Sequence, residues 1–147
     1  MDLVQLTVTI KGVPIIVDLR GKGSTLASIL FDGKEIPSAI VPEDVNQLKK
    51  IEFKLGTAET PYLNLANALV TSPMYDSKTK TLEFDLESFE GHLIELQVVS
   101  PTANQSISIS GNYFESGITE TKKDNIYKIK LVHVAGSKIN HYSIKFK

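Results

Sequence analysis

Apolar and polar residues alternate along most of this chain, and a period of two is the pattern of a strand with one buried face. No window of helical length carries an apolar stripe at i, i+3, i+4 and i+7, so the pattern points to an all-β chain. The first alternating run sets Val4, Leu6, Val8 and Ile10 on one face, and the next sets Val13, Ile15, Val17 and Leu19 on one face. A two-residue loop at Lys11-Gly12 places Val8 opposite Ile15, Leu6 opposite Val17 and Val4 opposite Leu19. One register then satisfies every apolar position.

The same counting at the other end predicts a hairpin through Gly136-Ser137, a pair suited to a type II′ turn. Leu131 is then expected to face Tyr142, Ile129 to face Ile144 and Tyr127 to face Phe146, with Lys128, Lys130, Lys145 and Lys147 together on the opposite face. Asp32-Gly33 signals a turn between residues 26–31 and 35–41, where Pro37 indicates an edge or a bulge. Residues 49–55 turn Ile51, Phe53 and Leu55 one way, and residues 80–86 do the same with Leu82, Phe84 and Leu86. Residues 62–75 read as a strand, joined to residues 80–86 by a hairpin loop at Asp76-Ser77-Lys78-Thr79. Residues 92–99 and 105–110 are further strands, separated by the loop sequence Ser100-Pro101-Thr102-Ala103-Asn104. Pro42-Glu43-Asp44-Val45-Asn46-Gln47 fits a single helical turn, with proline and acids at its start.

About eleven strands at this spacing predict a two-sheet antiparallel β-sandwich, jelly-roll or Ig-like, with at most one short helical turn. The 147 residues are expected to form a single domain. A break at Pro101 would leave a remainder near the size at which a domain without disulfides or metal fails to stabilise itself. The chain has no Cys, hence no disulfide framework and no thiolate nucleophile or ligand. A formal charge of -1 argues against the basic field that accompanies nucleic-acid binding. No apolar run reaches membrane-spanning length, so no membrane insertion is expected. Met1-Asp2-Leu3 carries no basic or apolar leader pattern. Alternation runs to both ends, from which we expect a module excised from, or attached to, a larger protein.

No G-x-S-x-G, P-loop, H-E-x-x-H, EF-hand or G-x-G-x-x-G motif is present, and no catalytic residue, cofactor or metal ligand set is expected. Gly21-Lys22-Gly23-Ser24 shares letters with a phosphate loop but lacks its upstream glycine, and reads as an inter-strand loop. Glu83, Asp85 and Glu87 share one strand face at a spacing of about 6–7 Å, which reads as a solvated face. By the predicted register His133 and His141 fall on opposite faces, too far apart to share a metal. The lysine face is suited either to an anionic polymer or to guarding a sheet against edge pairing. Tyr62 and Tyr113, with Asn64 and Asn112 beside them, combine stacking rings and amides as a sugar site requires. Phe89 and Phe114 read as plugs closing the ends of a sandwich.

The string Tyr75-Asp76-Ser77-Lys78-Thr79-Lys80-Thr81-Leu82-Glu83-Phe84, with Glu90-Gly91-His92, Val98-Val99-Ser100-Pro101 and Ile107-Ser108-Ile109-Ser110-Gly111-Asn112, resembles the β-sandwich accessory modules of microbial glycoside hydrolases. The resemblance covers roughly the C-terminal half. It implies a non-catalytic, carbohydrate-binding module whose partners are a polysaccharide or glycan and the neighbouring domains of a larger chain. Such a module would be extracellular or at the cell surface. A structural reading stands beside it: an assembly domain of a surface layer, adhesin or virus coat, recognisable by an exposed apolar patch. A small hydrolase using Glu83 or Asp85 in a concave sheet is the third reading.

Overall fold

The computed structural model describes residues 3–10, 12–23, 25–40, 49–101, 106–111, 125–132 and 138–147, and the backbone of 116–121. Among these there are thirteen strands and no helix. They form three sheets, not the two expected, and the contacts divide into two compact units.

The first unit, Met1–Ile36 with Val41–Glu59, holds one five-stranded sheet ordered β1-β2-β5-β3-β4. Its strands are β1 (Val4–Ile10), β2 (Val13–Gly21), β3 (Thr25–Phe31), β4 (Lys34–Glu35) and β5 (Lys50–Gly56). The β1–β2 register is the one the alternation predicts, with Val8 opposite Ile15, Leu6 opposite Val17 and Val4 opposite Leu19. Asp32 (φ 51°) and Gly33 (φ 80°) turn β3 into β4. The expected strand over 35–41 shrinks to two residues, consistent with Pro37 having no N–H for a ladder. The side chain of Asp32 then accepts from the N–H groups of Lys49 and Lys50 (2.9 and 2.8 Å), tying the start of β5 to that turn.

One pairing in this sheet departs from the antiparallel expectation. β5 inserts between β2 and β3 and runs parallel to β2, with Val17 opposite Ile51 and Leu19 opposite Phe53. Alternation alone carries no direction, so both orientations bury the same face. On the other face Asp18 is buried, accepting from Gln5 Nε2 (2.9 Å) and pairing with Lys50 Nζ (3.1 Å). The Gln5 amide, and after it Lys50, hold its carboxyl below the ordinary value.

The second unit, Pro37–Ile40 with Thr60–Lys147, is the β-sandwich. Its strands are β6 (Tyr62–Ala66), β7 (Leu69–Asp76), β8 (Thr81–Glu87), β9 (Leu93–Val99), β10 (Ile107–Gly111), β11 (Ser116–Thr121), β12 (Ile126–Val132) and β13 (Ile139–Phe146). One sheet is ordered β10-β13-β8-β7 and the other β11-β12-β9-β6. Their inner faces share one core that includes Leu82, Phe84 and Leu86 of β8, Ile94, Leu96 and Val98 of β9, and Tyr142, Ile144 and Phe146 of β13. Each such side chain contributes roughly 1.5–3 kcal/mol through burial. The hairpin at Asp76-Ser77-Lys78-Thr79 is present, with Asp76 opposite Thr81 and Lys78 N–H bonded to Asp76 Oδ1 (2.9 Å). Residues 62–75 are strand as expected but divide into β6 and β7, which belong to different sheets.

The predicted last hairpin is corrected. β12 pairs with β11 and β9, whereas β13 pairs with β10 and β8, so the two strands lie in different sheets. Their apolar faces are as read from the sequence, yet they meet across the sandwich. Tyr127 and Phe146 touch edge to face at 6.4 Å between ring centres. An amphipathic strand can bury its apolar face against a facing sheet as well as beside a neighbour, and the sequence pattern is the same. Gly136-Ser137, His133, and the proposed helical turn at residues 42–47 lie outside the described residues.

Candidate functional site

The topology separates the four lysines of the predicted patch. Lys128 and Lys130 stand on the outer face of the β11-β12-β9-β6 sheet, and Lys145 on the outer face of the other sheet, with Lys147 just after β13. What the fold assembles instead is a hollow of about 290 Å³ lined by Leu65, Glu95, Gln97, Lys128 and Lys130, with Leu96 and Ile129 beneath. The antiparallel β9–β12 register sets Glu95 opposite Lys130 and Gln97 opposite Lys128. Leu65 arrives by a different device. A bulge between Leu63 and Leu65 lets Leu63 point into the core opposite Val98 while Leu65 sits opposite Gln97, 53% exposed. In a regular strand without the bulge, the two leucines, two residues apart, would share one face.

The hollow therefore combines an apolar wall, two ammonium donors, a carboxylate acceptor and an amide that does both. Among the described residues neither Lys128 nor Lys130 has a carboxylate within ion-pair distance. Outer-face residues Leu93, Glu95 and Gln97 follow one another along β9, a row of roughly 13 Å at strand rise. Asn67 steadies the start of β9, donating to Leu93 O (3.1 Å) and accepting from Glu95 N–H (2.8 Å). Its own carbonyl accepts from His92 Nε2 (3.1 Å). Phe89, expected to plug the sandwich, is 68% exposed and lies against the His92 ring at 4.8 Å.

Of the aromatic site read from the sequence, Tyr62 and Asn64 lie among the described residues. Tyr62 is 5% exposed and belongs to the core, with no ring face to offer a sugar. Asn64 is exposed at the bulge beside Leu65. Asn112 and Tyr113 lie outside the described residues, as does Phe114. Leu65, Glu95 and Gln97 went unnoticed in the sequence because their partners come from strands distant along the chain. The alternation of Leu93, Glu95 and Gln97 was the one available signal.

The acidic face of β8 is more structured than a bare solvated row. Glu87 pairs with Lys138 (3.1 Å), and His141, opposite Asp85 in β13, sits between two carboxylates. Its Nδ1 donates to Asp85 Oδ1 at 2.7 Å, its Nε2 lies 3.6 Å from Glu83 Oε1, and Ser143 Oγ donates to the same Glu83 oxygen (3.4 Å). The hydrogen bond to Asp85 above all, aided by the charges of both acids and opposed by partial burial, raises the His141 pKa above its ordinary 6.5. A raised folded value means that the protonated clamp stabilises the fold fully below that ordinary value and is lost as pH rises through the folded one. Solvent screening limits the gain to about 1 kcal/mol. Urea unfolding at pH 5.5 and 8.5 is expected to show that loss at the higher pH, and His141→Gln is expected to abolish the difference. Equal pH dependence in both proteins would contradict the clamp.

Among the described residues no three His, Asp or Glu side chains are grouped to hold a metal ion, and no helix is long and apolar enough to cross a membrane. No family model matches the chain, and no curated protein or solved structure matches it.

Proposed function

We propose that the chain is a non-catalytic binding module whose hollow on the β9–β12 face takes an anionic glycan. The observation that carries this reading is the placement of Lys128 and Lys130 beside Gln97, Glu95 and the exposed Leu65 on one sheet face. Ammonium groups pair with uronate or sulfate groups, the amide and carboxylate exchange hydrogen bonds with hydroxyls, and Leu65 packs on the apolar side of a ring. The row along β9 matches an extended polymer better than a compact metabolite. A module of this kind would act beside the other domains of a larger surface or secreted protein.

The separation of the lysines onto two sheets supplies a matched control. Lys128→Glu with Lys130→Glu changes the net charge by the same amount as Lys145→Glu with Lys147→Glu. Affinity electrophoresis in heparin or polygalacturonate, against a neutral glucan, is expected to show a loss of about tenfold or more for the first pair, equivalent to about 1.4 kcal/mol. The second pair should retain binding. Retention by the first pair, or equal loss in both, would overturn the reading in favour of none or of nonspecific attraction.

A further inference from the structure

β1 is an edge strand: in the order β1-β2-β5-β3-β4 it pairs with β2 alone, and among the described residues no strand lies along its other side. Natural sheet edges are guarded by charges, proline, bulges or shortness, because an open row of N–H and C=O groups recruits other strands. The other edges of this protein largely follow that rule. β4 has two residues, β6 and β7 carry bulges, and β7 contains Pro73. β10 is short, and its Ile107 and Ile109 already pack against the core. β1 has no such guard. It runs seven residues, Val-Gln-Leu-Thr-Val-Thr-Ile, uncharged and in unbroken register. Leu3, Val4 and Leu6 are 49%, 40% and 57% exposed, leaving large apolar side chains beside the open edge.

The hydrogen-bond phase of the edge follows from its neighbour. Ile16 donates its N–H to Lys49 O (3.0 Å), away from β1, so Thr7 and Ile16 form a pair that exchanges no backbone bonds. Thr7 therefore turns its own N–H and C=O to the open edge, and by alternation Gln5 and Thr9 do the same.

We propose that β1 pairs antiparallel with β1 of a second copy of this chain about a two-fold axis at Thr7. This goes beyond the glycan-binding reading and does not depend on it. In that register Thr7 faces Thr7, and Gln5 faces Thr9 of the second copy, each facing pair closing two backbone bonds with the groups already directed outward. Val4 then faces Ile10 and Leu6 faces Val8, apolar against apolar, and no like charges meet. The flanking sequence adds complementarity. In the sequence an acid, Asp2, precedes the strand and a base, Lys11, follows it, an order of charges that favours antiparallel over parallel association. The seven-residue pattern is its own complement in this register, which favours a second copy over an unrelated strand. The two five-stranded sheets become one continuous sheet.

Sedimentation velocity of the full chain over a range of concentrations tests this. The native chain is expected to sediment at twice its own mass at high concentration and to dissociate on dilution. Thr7→Lys and Thr7→Glu each set like charges opposite one another on the axis at an exposed position. Each variant alone is expected to fall to the mass of one chain, with the circular dichroism spectrum and melting temperature of the native chain at a dilution where it is monomeric. An equimolar mixture of the two should recover the double mass. A native chain that stays monomeric at millimolar concentration, a dimer indifferent to both substitutions, or a mixture that fails to recover would each overturn the proposal. A dimer sensitive to charge at Leu93 or Ile139 but not at Thr7 would place the contact elsewhere and overturn it too.

Discussion

Phe84→Ala is expected to destabilise the sandwich by about 3–5 kcal/mol, the range for removing a fully buried aromatic side chain. Phe84 is 1% exposed, lies opposite Tyr142 in the β8–β13 register, and stacks on its ring at 6.1 Å between centres. Both rings are enclosed by β-strand side chains of the two sheets, so neighbours cannot collapse into the space without leaving their own rotamers. Against a total stability of about 5–15 kcal/mol for an ordinary domain, that loss would remove much of the margin. Phe89→Ala is the matched comparison, because its ring is largely exposed and touches only the His92 ring among the ring contacts of the described residues. A change within about 0.5 kcal/mol is expected there. Urea unfolding followed by tyrosine fluorescence would measure both. Equal costs at the two positions would refute the assignment of Phe84 to the core and Phe89 to the surface.

Gly21→Ala is the second large effect, and it acts on the first unit. Gly21 ends β2 at φ 90°, a conformation that L side chains rarely adopt. A Cβ added there would also drive into the carbonyl oxygen of Leu55, its register partner in the parallel β2–β5 pair. The obstacle is backbone, which cannot swing aside as a flexible side chain would. We expect a cost of about 2 kcal/mol or more, with faster amide exchange along β2 and β5. Gly12→Ala separates the two contributions. Gly12 has a similar φ of 80°, but an added Cβ meets nothing within 4 Å. Its cost should stay near the conformational penalty alone, about 1 kcal/mol. Indistinguishable losses at Gly12 and Gly21 would mean that the close approach of β2 to β5 is not a constraint.

The candidate site was half legible. Lys128 and Lys130 stand out in the sequence because two lysines at i and i+2 occupy one face of any strand. Glu95 and Gln97 join them only through the β9–β12 pairing, and Leu65 only through a bulge that reverses its side. Neither event leaves a local mark. The burial of Tyr62 was hidden for the complementary reason: it begins a strand, and whether the end of a strand is open or covered depends on what packs over it.

Side-chain direction is local, since successive residues of a strand point to opposite faces whatever lies beside them. For that reason the alternation determined the all-β character, the buried rows of β8, β12 and β13, and the register of the β1–β2 hairpin, whose short loop permits few alternatives. Strand partnership is not local. Ladder hydrogen bonds join backbone groups that every residue shares, and an apolar face is satisfied equally by a neighbour in its sheet or by a sheet opposite. Only the tertiary structure decided that β5 runs parallel to β2, that β12 and β13 part into different sheets, and hence that Lys128 and Lys130 stand on a different sheet from Lys145. It also decided that β1, alternating like the rest, ends on the edge of its sheet, with no second strand beside it among the described residues.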